Sequence, residues 1–70
     1  MRYAIVIDKT ENNYGAWVPD LPGCVAVGDT LAEVEQRMRS AIEMHLAGMR
    51  EDGDPIPQPS AIVNYVDVAA

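Results

Sequence analysis

Five carboxylates stand where elements of this chain begin, end or turn: Asp8, Asp20, Asp29, Glu33 and Asp67. Three or four of them converging would make an oxygen-rich site for a magnesium-type cation. The chemistry would then be metal-dependent cleavage of a phosphodiester, with Asp8, Asp20, Asp29 and Asp67 as ligands. A plainer reading competes with it, because Asp29 and Glu33 open a helix, where acidic groups cap and offset the dipole. The lone histidine, His45, falls within the apolar stripe of that helix and is expected to be packed rather than to act as a base. No serine or cysteine sits in a nucleophile motif, and "LPGCVAVGD" lacks the spacing of a phosphate-binding loop. The expectation is a non-enzyme with no metal and no cofactor.

Charge and cysteine usage narrow the class further. Eleven acidic against five basic side chains give a net charge of -6. Such a surface repels a nucleic-acid backbone and attracts a basic partner, so direct nucleic-acid binding is not expected. The single cysteine, Cys24, excludes an internal disulfide and a cysteine-rich zinc site, and fits a reducing cytoplasm. The N-terminal apolar run "YAIVI" is too short for a signal peptide or a membrane span.

The elements that must position these groups are legible as four strands and one helix. "RYAIVID" alternates Tyr3, Ile5 and Ile7 against Ala4 and Val6, and "ENN" supplies turn chemistry. "YGAWVP" is the second strand and "CVAVG" the third, joined through "WVPDLPGC". In that octapeptide Pro19 and Pro22 exclude helical torsions at Val18 and Leu21, and Pro22-Gly23 is a turn dipeptide. A stiff arch displaying Asp20 and Leu21 is expected. "TLAE" is a capping box, with Thr30 accepting from the amide of Glu33 and the Glu33 carboxylate reaching back to the amide of Thr30. Leu31, Val34, Met38, Ala41, Ile42, His45 and Met49 make one stripe, with Leu46 at its edge, and the helix is expected from Thr30 to Glu51. Gly53 and Pro55 close it, "DPIPQPS" is an extended link, and "AIVNYVDV" is the last strand.

One helix covers one face of such a sheet, and both faces are apolar. A 70-residue chain buries only roughly 60% of the surface its unfolded form exposes. Association into a dimer or tetramer through the uncovered sheet surface or strand edges is therefore expected. Tyr14 and Trp17, on the second strand, serve either the core or a recognition surface.

In combination, "YAIVI", "GAWVPDLPGCVAVGDTLAE" and "HLAGMREDGDPIPQPS" before a last strand resemble the HicB family of antitoxins from Arg2 to Val68. The resemblance implies an α+β fold, a β-β-β-α-β unit of partial RNase H-like type. Its four-stranded mixed sheet would have the order 3-2-1-4, with the helix on one face. It also implies a partner, a HicA-like toxin, which is a small basic ribonuclease that cleaves messenger RNA. Residues 1–70 are expected to be one HicB-like domain without the C-terminal DNA-binding domain of fuller members. The candidate partner-binding residues are Tyr14, Trp17, Asp20, Leu21, Asp29 and Glu33. The alternative is a metal-dependent nuclease or RNA-processing remnant of the same fold.

Overall fold

The computed structural model describes residues 1–70. Strands β1 (Val6–Lys9), β2 (Tyr14–Trp17) and β3 (Val25–Gly28) are followed by helix α1 (Leu31–Asp52). The sheet is antiparallel in the order β1-β2-β3. Its first hairpin closes where the Thr10 amide donates to Asn13 O at 2.8 Å and Thr10 Oγ1 accepts from the amides of Asn12 and Asn13. This is the local turn chemistry that makes "ENN" a reversal.

The helix has the ends its sequence encodes. Thr30 is extended and its hydroxyl accepts from the Glu33 amide at 3.1 Å. The reciprocal bond lands one residue earlier than expected, on the amide of Asp29 at 3.1 Å rather than that of Thr30. At the other end Gly53 takes a left-handed φ of 74°, its amide donates to Arg50 O, and the Asp54 amide donates to Met49 O. These two bonds form the Schellman closure. Along the stripe Val34, Met38 and Leu46 are buried, Ala41, Ile42, His45 and Met49 are half-buried, and Leu31, expected to pack, is exposed.

The core is small. Ala16, Val18, Leu21, Cys24, Val34, Met38 and Leu46 form it, where α1 lies across β3 and β2. The crossing is tight at Gly28, where a Cβ would stand 2.7 Å from the backbone nitrogen of Val34, so only glycine fits. Because the helix sits over β2 and β3, Ile5 and Ile7 at the β1 side are only half-buried.

The sheet of the single chain has three strands, not four. Residues 61–68, expected as the last strand, pair with nothing, because no backbone hydrogen bond joins them to β1. The link before them is fastened twice, by the Tyr3 hydroxyl donating to Pro57 O and by Asp20 accepting from residues 60 and 61. No helix is long and apolar enough to cross a membrane.

Candidate functional site

The corner between β2 and β3 is two consecutive β-turns. The Leu21 amide donates to Val18 O at 3.1 Å across Pro19-Asp20, and the Cys24 amide donates to Leu21 O at 3.1 Å across Pro22-Gly23. Each turn has proline at its second position, and Gly23, with φ 84°, supplies the left-handed residue of the second. The Val18 amide, donating to Cys24 O at 3.2 Å, ties the arch shut. The shared residue, Leu21, is driven inward and is 1% exposed. It is not displayed as expected: proline fixes torsions, but the hydrophobic effect decides which side of the arch the leucine takes. Cys24 is buried beside it, and burial pushes its thiol pKa up.

Asp20 does not stand free either. Its Oδ2 accepts from the Ser60 amide at 3.0 Å and the Ala61 amide at 3.2 Å, and its Oδ1 accepts from the Ser60 hydroxyl at 2.8 Å. The Ser60 amide, with the Ser60 hydroxyl and Ala61 amide after it, holds the carboxyl below its ordinary pKa. Asp20 is thus the clasp that fixes the post-helix link to the arch.

At the helix start Glu33 is also engaged. Its Oε1 accepts from the Asp29 amide and pairs with Arg37 Nη2 at 3.0 Å, while Arg37 Nη1 donates to Val27 O at 2.9 Å. The network joins the end of β3 to the first two turns of α1. The Asp29 side chain has no partner within the chain and is exposed.

The two aromatic candidates lie on opposite faces. Tyr14 shares its face with Ala16 and Val18 and packs on the core. Trp17 points away from the helix, 40% exposed, and lies in register between Val6 and Val25. Val25 and Val27 on this outer face are 64% and 57% exposed. The row Val6–Trp17–Val25, with Val27 beside it, is an apolar strip on the surface.

Of the six candidates, then, the structure brings Asp29 and Glu33 together, leaves Trp17 on the outer sheet face, and places Tyr14, Leu21 and Asp20 in the framework. Val25, Val27, Arg37 and Ser60 were not singled out in sequence. Alternation against Ala26 was the available signal for the two valines, and a spacing of four from Glu33 was the one for Arg37. The carboxylates do not gather: no three His, Cys, Asp or Glu side chains come close enough to share a metal ion.

Comparison with known proteins follows the same lines. A family profile described as HicB_like antitoxin of bacterial toxin-antitoxin system matches residues 3–69. A protein of Haemophilus phage HP1 from the rep-hol intergenic region is 40% identical over 67 residues, covering 96% of this chain and 50% of that protein. The chain thus spans half the length of this relative. UPF0150 proteins of Synechocystis and Archaeoglobus fulgidus are 30% and 42% identical, covering 94% and 77% of this chain and 85% and 83% of theirs. Among solved structures, a chain of the HicA3 and HicB3 toxin-antitoxin complex superposes with a TM-score of 0.73 at 30% identity, over 84% of this chain and 70% of that one. With the profile spanning nearly every residue and the fold matching an antitoxin complex, the chain belongs to the HicB-like antitoxin family of bacterial toxin-antitoxin systems.

Proposed function

We propose that this chain binds a small basic HicA-type toxin and keeps it from messenger RNA by covering its RNA-binding surface, without catalysis of its own. The observation that carries this reading is the likeness to a chain of a toxin-antitoxin complex at 30% identity and a TM-score of 0.73. The net charge of -6 supports it, since opposite fields speed encounter and a covered basic face is closed to RNA. So does the outer strip, because an exposed tryptophan in a row of valines is the kind of anchor on which interfaces concentrate their binding energy.

Trp17, Asp29 and Glu33 are the proposed contacts. Tyr14, Asp20 and Leu21 act through the framework that holds the arch and sheet in place. The reading includes action in the cytoplasm, a homo-oligomer, and completion of a partial RNase H-like sheet by residues 61–68 as its fourth strand. No carboxylate cluster favours the nuclease alternative.

The test is binding of a purified HicA-type toxin to the parent chain and to Asp29→Lys and Trp17→Ala variants, by calorimetry at low and high salt. A complex that weakens with salt and with either substitution is expected. Equal binding by all three chains would remove these residues from the interface, and no binding by the parent chain would remove the toxin as partner.

A further inference from the structure

Residues 61–68 leave the body as an arm. Ile62, Val63, Tyr65, Val66 and Val68 are between 59 and 89% exposed, in a stretch rich in β-branched residues that belongs to no strand of the single chain. The molecule measures 47 Å in its longest dimension, with a radius of gyration of 13.8 Å where a compact chain of this length has about 11 Å. Beyond Ala61 its one hydrogen bond is local, from the Tyr65 amide to Asn64 Oδ1. A segment of this composition, unpaired in water, is a strand that lacks a sheet.

A matching vacancy lies on β1. The strand pairs with β2 on one side, and its other edge is free. The chain's own arm runs near that edge without reaching it. A cleft of about 390 Å³ stands between Ala4–Ile7 and Ala61–Tyr65, and no backbone hydrogen bond crosses it. The clasp on Asp20 sets where the arm starts, since Ala61 itself donates to the carboxylate, and Pro55, Pro57 and Pro59 stiffen the approach. In the single chain, with its base so fastened, the arm makes no backbone hydrogen bond to its own β1.

We infer that the arm of one copy pairs with the free β1 edge of a second copy, so that two chains exchange their last strands around a two-fold axis. The inference rests on the self-association proposed above and names the surface that makes it. Reciprocal exchange removes two exposed edges and two exposed arms at once, which is why swapped strands are a low-cost route to dimers. The side chains suit a donated strand. Ile62, Val66 and Val68 fall on one side and Val63 and Tyr65 on the other, so one set extends the Val6–Trp17–Val25 row and the other packs beside Ile5 and Ile7. With only eight of 70 residues buried in the single chain, the exchange also supplies core that the chain lacks alone.

Two variants of this chain test this, both carrying Cys24→Ala: one with Val6→Cys, the other with a single cysteine at Ile62, Asn64 or Val66. After mixing and mild oxidation, a disulfide-linked heterodimer is expected at one or more arm positions. If chains whose circular dichroism matches the parent give no link between them at any position, the inference is overturned, even if light scattering still reports a dimer joined elsewhere. A link that forms only within one chain when both cysteines are on it overturns it too. Should the cysteine variants fail to fold, hydrogen exchange on the parent chain decides: amides of the arm protected in the dimer and unprotected after dilution to monomer support exchange. Protection that persists in the monomer, or is absent throughout, contradicts it.

Discussion

Asp20 and Ser60 stand 40 residues apart in sequence, yet the Ser60 amide and hydroxyl donate to the two oxygens of the Asp20 carboxylate at 3.0 and 2.8 Å. This clasp makes the proline arch and the post-helix link one unit. It predicts a pH signature. The hydrogen bonds lower the folded pKa of Asp20 below its ordinary 3.8, so its contribution is complete above that value and is lost as pH falls through the lower, folded value. Denaturation midpoints measured from neutral pH down into that acid range should fall for the parent chain. Asp20→Asn should be less stable at neutral pH and show a shallower acid decline; parallel profiles would exclude the clasp.

The cap predicts a modest loss. Thr30→Ala removes the acceptor for the Glu33 amide and should cost on the order of 1 kcal/mol, read as a lower chemical-denaturation midpoint.

Gly28→Ala should cost about 1–3 kcal/mol, because the new methyl meets the backbone of Val34 at 2.7 Å and β3 and α1 must separate to admit it. The same substitution at Gly15, where a Cβ meets nothing within 4 Å, should cost far less. Equal losses at both positions would mean that the helix does not cross the sheet at Gly28.

Leu21 and Trp17 make a contrasting pair. Leu21→Ala should destabilise by roughly 2–5 kcal/mol, enough to unfold much of a domain this small. Trp17→Ala should leave the fold nearly as stable while weakening toxin binding by about tenfold or more. Thermal denaturation beside calorimetric titration separates the two effects.

Local chemistry explains which features were legible. Thr30, Glu33, Gly53 and Pro55 act within a turn of themselves, so the helix ends could be read within a residue, and Pro19, Pro22 and Gly23 marked the corner for the same reason. Long-range choices were not legible. Whether Leu21 faces in or out depends on Val34 and Met38 across the core, and the partner of Asp20 arrives only after the whole helix. The composition of residues 61–68 announced a strand, but composition carries no information about which edge receives it. Trp17 became part of a surface only through its register with Val6 and Val25.

Suppression of toxin activity is the most direct measurement. A purified HicA-type toxin is incubated with messenger RNA while the chain is added stepwise. Cleavage should stop near stoichiometric addition, recover as salt rises, and persist at higher doses of Trp17→Ala than of the parent chain. Undiminished cleavage in the presence of excess folded parent chain would contradict masking as its function.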